Sequence, residues 1–198
     1  AVVGLSRFHG YSTRAYVPVN QLLFINEKHL DVAAAVPVNY LTAYFMMVHQ
    51  AAIRKGETIL IHGIGGGVGI AALQIAQHLG VKIIGTCSGW KHDQIREMGV
   101  EHLIDYRTEN FKERVLEITD GKGADVIIDS LGGKALKSSY ECLAEFGRLI
   151  SYGFSRAAPG TKKNILKIMR ITMLKVAIVI DHLKDLLVEG KTTHLIDL

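Results

Sequence analysis

Cysteine is scarce in these 198 residues: Cys87 and Cys142 are the two, far apart and without CxxC or Cys/His spacing. That excludes a disulfide framework and any structural zinc readable from the sequence, and it suits a reducing cytoplasm. No apolar run approaches the roughly 20 residues needed to span a bilayer. No charged start followed by an apolar stretch and a small-residue cleavage site opens the chain, so a soluble protein without a membrane span is expected. Runs of like charge are also missing. The formal charge of +4 and the pI near 9.0 come from Lys and Arg scattered among acids, so a nucleic-acid partner is not expected. Internal repeats and low-complexity tracts are absent. What remains is 48% hydrophobic and 21% charged, enough apolar material for the buried core of one α/β domain with some extra.

The first stretch, Ala1 to Ile25, mixes short β-like pieces such as Tyr16-Val17-Pro18-Val19 with glycine and histidine, and reads as the edge of a β domain. From Asp31 to Gln50 two short helices are expected, separated at Pro37, which cannot continue a helix interior. Thr58-Ile59-Leu60-Ile61 is a continuous apolar, β-branched run, the pattern of a parallel strand covered on both faces. Val68, Ala72, Ile75 and Leu79 then fall on one helix face, and Gly80 closes that helix. Strands follow at Val81 to Gly85, His102 to Tyr106, Ala124 to Asp129 and Arg148 to Tyr152. They alternate with helices near Asp93 to Met98, Phe111 to Ile118 and Ala135 to Leu143. Five strands alternating with short helices predict a Rossmann-type, doubly wound parallel sheet in the α/β class. Beyond Gly153 a loop is expected over Ala157 to Lys163 and helices over Asn164 to Lys175 and Val176 to Leu187. No convincing sixth strand is found there.

The glycines Gly63-Ile64-Gly65-Gly66-Gly67-Val68-Gly69 stand between an apolar strand and an amphipathic helix. A diphosphate must approach bare amides at a helix N-terminus closely, and a Cβ at the nearest positions would block it. A turn needed only for tight strand-helix packing is the competing reading. About twenty residues on, where an NAD enzyme places an acid for the ribose 2′-hydroxyl, stands Thr86-Cys87-Ser88-Gly89-Trp90-Lys91. With no acid there, Ser88 and Lys91 can accept a 2′-phosphate, which favours NADP(H). Lys91 otherwise simply begins a solvated helix.

At these residues the sequence resembles the medium-chain dehydrogenase/reductase superfamily, in its zinc-independent quinone oxidoreductase and vesicle amine transport protein 1-like branch. The resemblance rests on Val36-Pro37-Val38-Asn39-Tyr40-Leu41-Thr42-Ala43-Tyr44, on Ile61 to Gly69, on Gly85-Thr86-Cys87-Ser88 with Lys91-His92, and on His102-Leu103-Ile104-Asp105-Tyr106-Arg107. It implies that Gly66, Gly67, Val68 and Gly69 hold the diphosphate, that Ser88 and Lys91 meet the 2′-phosphate, and that Tyr106 packs near the adenosine. It further implies that Gly133 and the turn Tyr152-Gly153-Phe154 lie beside the nicotinamide ribose, with Asn39 and Thr42 bordering the ring. Tyr106 equally serves as half-buried packing, and Asn39 equally caps the helix after it.

The same resemblance implies a remnant of a GroES-like β domain in residues 1–30, the NADP-binding domain in 31–190, and the start of a return to the first domain in 191–198. It implies a piece of a longer polypeptide, with stretches lacking before Ala1, near Thr172 and after Leu198. Zinc-dependent relatives carry a metal-binding cysteine near Asn39 and a four-cysteine lobe; neither has a counterpart here, so no metal site is expected. The implied activity is NADPH-dependent reduction of a quinone or an α,β-unsaturated carbonyl by hydride transfer, in a homodimer. An enoyl reductase of a polyketide or fatty-acid synthase, or a non-catalytic NADPH-binding adaptor or regulatory protein, would share these motifs. His49, His62 and His92 invite an acid-base role, yet no carboxylate partner is assignable from sequence, and no catalytic residue is named.

Overall fold

The computed structural model describes residues 1–4 and 10–153 and the backbone of 192–195. Phe154 and the loop and helices expected between Ala157 and Leu187 lie outside the described residues.

The central sheet runs β3 (Thr58–His62), β4 (Lys82–Cys87), β5 (His102–Asp105), β6 (Ala124–Asp129), β7 (Leu143–Ser151) and β8 (Thr192–Leu195), all paired in parallel. Their spatial order is β5-β4-β3-β6-β7-β8, so the chain reverses direction across the sheet between β3 and β6, the crevice where doubly wound folds take ligands. The strands are apolar without alternation because both faces are covered. Ile59, Ile61, Val126, Ile128 and Ile150 enter one core with α2 (Val36–Tyr44) and α3 (Gly67–Leu79). Leu60, Ile104, Ile127 and Leu149 enter the other, with α5 (Phe111–Ile118) and α6 (Lys134–Glu141). Successive residues of one strand thus feed opposite cores.

Several expectations shift. The buried stripe of α3 is Gly69, Ala72, Leu73 and Ala76, with Val68, Ile75 and Leu79 at its margin. Small side chains let α3 settle deep between the sheet and α2, so its larger residues flank that contact. Gly80 ends α3 in the left-handed conformation at φ 68°, as the sequence predicts. Pro37 occupies the first turn of α2, after the four-residue α1 (Leu30–Ala33), where its missing N–H costs nothing. Tyr16 to Val19 forms no strand; Pro18 instead caps a short 3-10 turn. The N-terminal β pair is β1 (Val2–Gly4) with β2 (Leu22–Phe24), antiparallel. The last strand begins at Leu143, not Arg148, because β7 passes through a bulge opposite Ala124 to Val126, where Phe146 takes φ 58°. That break in period 2 hides the strand's first half from pattern reading. Thr192–Leu195, in the stretch the family resemblance reads as a strand returning to the first domain, pairs with β7 as the sixth strand of the sheet. Among the described residues no single helix is long and apolar enough to cross a membrane. One pair bent by 68°, Glu27–Ala33 with Val36–Gln50, meets that test only when taken together.

Candidate nucleotide-binding site

The site grows from the end of β3. Gly63 turns the chain at φ 67°, the Gly66 amide donates to Gly63 O at 2.9 Å, and the Ile70 amide closes the first α3 bond onto Gly66 O at 2.8 Å. The amides of Gly67, Val68 and Gly69 therefore precede any intrahelical acceptor, and Gly66 caps α3 with no side chain to occupy them. A Cβ on Gly69 would lie 2.7 Å from the Ile64 backbone and against Gly63 O, and one on Gly67 would lie 2.7 Å from Asn39 Nδ2. Gly69 thus serves close packing, while Gly66 and Gly67 are exposed at the helix end. Asn39 stands inside α2, donating Nδ2 to Ala35 O at 2.8 Å; it borders the glycine loop instead of capping the helix. Thr42 is half-buried on the same helix.

On the β4 side, two predicted residues meet and a third turns to the glycine loop. Ser88 Oγ and the Tyr106 hydroxyl are 3.0 Å apart. Lys91 reaches across to donate to Gly65 O at 2.8 Å, its Nζ 5.1 Å from the Trp90 ring. Sequence reading missed Asp105, whose carboxylate accepts the Gly89 amide at 2.9 Å and the Arg107 amide at 3.0 Å. The Arg107 amide, backed by that of Gly89 and by the charges of His92 and Arg107, holds this carboxyl below its ordinary value against a smaller cost of desolvation. The acid lies at the end of β5, not β4, so the spacing rule could not reveal it.

On the β6 side, Gly133 precedes α6 at φ 61° beside Gly132 at φ 64°. The turn hangs on the buried Asp129, whose Oδ1 accepts the Leu131 amide at 2.7 Å and the Gly132 amide at 2.8 Å. The Tyr152 amide donates to Asp129 O at 3.0 Å, and a Cβ on Gly153 would lie 2.8 Å from Ser130 O. Tyr152 and Gly153 therefore line the same turn as Gly133, and burial pushes the Tyr152 phenol up.

His62, left without a carboxylate by sequence reasoning, reaches one through a serine. Its Nδ1 is 3.1 Å from Thr86 Oγ1 and its Nε2 is 3.0 Å from Ser139 Oγ. Ser139 in turn donates to Asp129 Oδ2 at 2.7 Å. All four side chains are buried. The partner lies on a strand 67 positions away in the chain, a proximity only the fold creates. Among the described residues no three His, Cys, Asp or Glu side chains are grouped as metal ligands.

A parallel sheet in this order, with a bare-amide helix end at its crevice, defines a Rossmann-type dinucleotide-binding domain. The family model described as zinc-binding dehydrogenase matches residues 67–185, and the chain belongs to that family. Within it the chain falls in the VAT-1-like branch. It is 42% identical over 141 residues to the synaptic vesicle membrane protein VAT-1 homolog of Danio rerio, covering 71% of this chain and 29% of the relative. Among solved structures, the human VAT-1 homolog-like protein superposes with TM-score 0.73 at 27% identity, covering 99% of this chain and 51% of that one. A quinone oxidoreductase of Pseudomonas syringae gives 0.70 at 27% identity, covering 91% and 51%. The CurK enoyl reductase gives 0.70 at 28%, covering 91% and 48%. The chain thus spans under a third of that curated relative and about half of these solved chains.

Proposed function

We propose that this chain is the NADP(H)-binding domain of an oxidoreductase that reduces quinones or α,β-unsaturated carbonyls without zinc. The observation that carries the reading is the α3 end, where the amides of Gly67, Val68 and Gly69 meet no side-chain cap at a point where a Cβ on Gly67 would intrude. Such an end suits a diphosphate through both its donors and its dipole. Ser88 and Lys91 stand one strand away, with a hydroxyl and a cation for a 2′-phosphate, while Tyr106 holds the Ser88 hydroxyl. Gly133, Tyr152 and Gly153 offer a close backbone surface for the nicotinamide ribose, and Asn39 and Thr42 line the α2 side.

When bound, the nicotinamide would supply a hydride to the acceptor. The residues of this chain hold and orient it, and rate comes mainly from that placement in a water-poor crevice. His62 is enclosed behind the strand ends and does not face the crevice as an acid or base. No cysteine stands near Asn39, where zinc-dependent relatives carry a metal-binding one, and Asn39 itself is engaged with Ala35 O and borders the glycine loop, which supports zinc-free reduction. Cys87 and Cys142 are free and buried, as suits a reducing cytoplasm. A homodimer is the expected assembly by analogy with the superfamily.

The fit to CurK supports a second reading, an enoyl reductase domain of a larger synthase; carrier or synthase domains in the same polypeptide would decide for it. The test of the main reading is a panel of quinones and enones assayed on the full-length protein with NADPH and NADH. NADPH-dependent turnover that survives chelation is expected. A strict NADH preference, or activity only with added zinc, would overturn it.

A further inference from the structure

We propose that His62 is a positioning residue: a one-way hydrogen-bond chain through its ring couples the glycine loop to the Gly132-Gly133 turn, so both halves of the nucleotide site are set together. The inference rests on the nucleotide-binding reading above.

The direction follows from counting hydrogens. Asp129 Oδ1 accepts two backbone amides, Leu131 at 2.7 Å and Gly132 at 2.8 Å. Its Oδ2 takes the single Ser139 hydroxyl hydrogen at 2.7 Å; the Ala135 carbonyl, 3.0 Å away and neutral, is the weaker competitor for it. With that hydrogen committed, Ser139 Oγ can only accept from His62, which assigns the proton to Nε2. Nδ1 is then an acceptor and takes the Thr86 hydroxyl hydrogen at 3.1 Å. Thr86 Oγ1 in turn accepts the Gly63 amide at 3.3 Å, and Thr86 O accepts the Ile64 amide at 3.1 Å.

The chain therefore runs from Gly63 N–H through Thr86, His62 and Ser139 to Asp129, whose other oxygen fixes the turn before Gly133. The four side chains are buried, where polar groups strengthen one another and an unmade bond is expensive; the Gly63 amide at the loop end is half-buried. The ring cannot swing to another partner, because Phe111 stands edge-on to it at 4.7 Å and 82°. Ser130 adds a second tie, donating Oγ to His62 O at 3.2 Å.

Thr86 and Ser139 sit on opposite sides of the ring, so a double-mutant cycle isolates the coupling. In the full-length protein, Thr86→Val and Ser139→Ala should each weaken NADPH binding about tenfold, the worth of one buried hydrogen bond. Together they should cost hardly more than the worse single change, since either one breaks the chain. Thr86→Ser and Ser139→Thr keep the hydroxyls and should restore affinity, which controls for misfolding. A ring-nitrogen NMR spectrum should show one protonated nitrogen, Nε2, in the wild type. Losses that simply add, or a proton on Nδ1 alone, would overturn the coupling while leaving nucleotide binding intact. A wild-type protein that takes up no NADPH would overturn the nucleotide reading and this inference with it.

Discussion

Arg148 grips Glu57 fork to fork: Nη1 donates to Oε1 at 2.9 Å and Nη2 to Oε2 at 2.7 Å, while Nε holds Ala51 O at 2.9 Å. The pair bridges β7 to the entrance of β3, across the intervening β6. Burial pushes the Glu57 carboxyl up, but the Arg148 bonds, the Arg54 amide and both cations outweigh it, so the folded value lies below the ordinary 4.5. Stability from this pair is then complete above that value and is lost as pH falls through the folded one. Glu57→Gln should cost roughly 2 kcal/mol at pH 7, and its gap from wild type should close as the pH drops below the ordinary value. Urea unfolding of the full-length protein from pH 7 to 3 measures this; a gap independent of pH would contradict it.

Gly69 and Gly56 make opposite demands. A Cβ on Gly69 meets the Ile64 backbone at 2.7 Å, so alanine there must displace the loop. Gly56 has φ 87° and nothing within 4 Å, so alanine there costs only backbone strain of about 1 kcal/mol. Gly69→Ala should therefore lower nucleotide affinity about tenfold or more, since the displaced amides lose their aim, whereas Gly56→Ala should leave it unchanged. Fluorescence titration with NADPH distinguishes them; equal affinities would mean that the loop geometry is not what binds.

The difference between these glycines also marks how far the sequence could be read. Strands β3 and β6, helix α5 and the Gly80 cap were legible because unbroken apolar runs, a helical period and a closing glycine are local signals. The glycine loop was legible as well, since its context of strand and helix is contiguous in the chain. Asp105 and the carboxylate behind His62 were not: each reaches its partner from another strand, and no spacing rule spans such a crossing. The start of β7 was hidden by the Phe146 bulge.

On the NADP(H) reading proposed above, Lys91 is the residue that would carry the cofactor preference. Its Nζ donates to Gly65 O at 2.8 Å, which holds the cation against the glycine loop. A charge-assisted bond to a 2′-phosphate discriminates NADPH from NADH by about tenfold or more. Lys91→Ala should raise the KM for NADPH by that factor and leave the KM for NADH nearly alone. Equal increases for both cofactors would assign Lys91 to the loop's structure instead of to the phosphate.

Phe146 sits at φ 58° and is 67% exposed, so it bears left-handed strain with little burial in return. Asparagine tolerates that conformation better than a bulky aromatic. Phe146→Asn should stabilise the fold by about 1 kcal/mol, read as a higher urea midpoint with an unchanged slope. A lower midpoint would mean that the ring packs against a part of the protein beyond the described residues.

The two thiols should differ in how they resist modification. Burial pushes Cys142 up to about 12, against small opposing effects of its own backbone and Lys112. At pH 8 about one molecule in ten thousand would then carry that thiolate, and the thiolate is the reactive form. Burial also raises Cys87, but Lys91 draws it back while Asp105 adds to the rise. Cys87 should therefore react before Cys142 as pH increases, and bound NADPH should slow Cys87 by covering the Ser88 to Lys91 edge. Timed labelling of the full-length protein with iodoacetamide, read peptide by peptide by mass spectrometry, gives both rates. Reaction of Cys142 ahead of Cys87 without global unfolding would show that the α6 to β7 junction opens locally, and the order proposed here would be wrong.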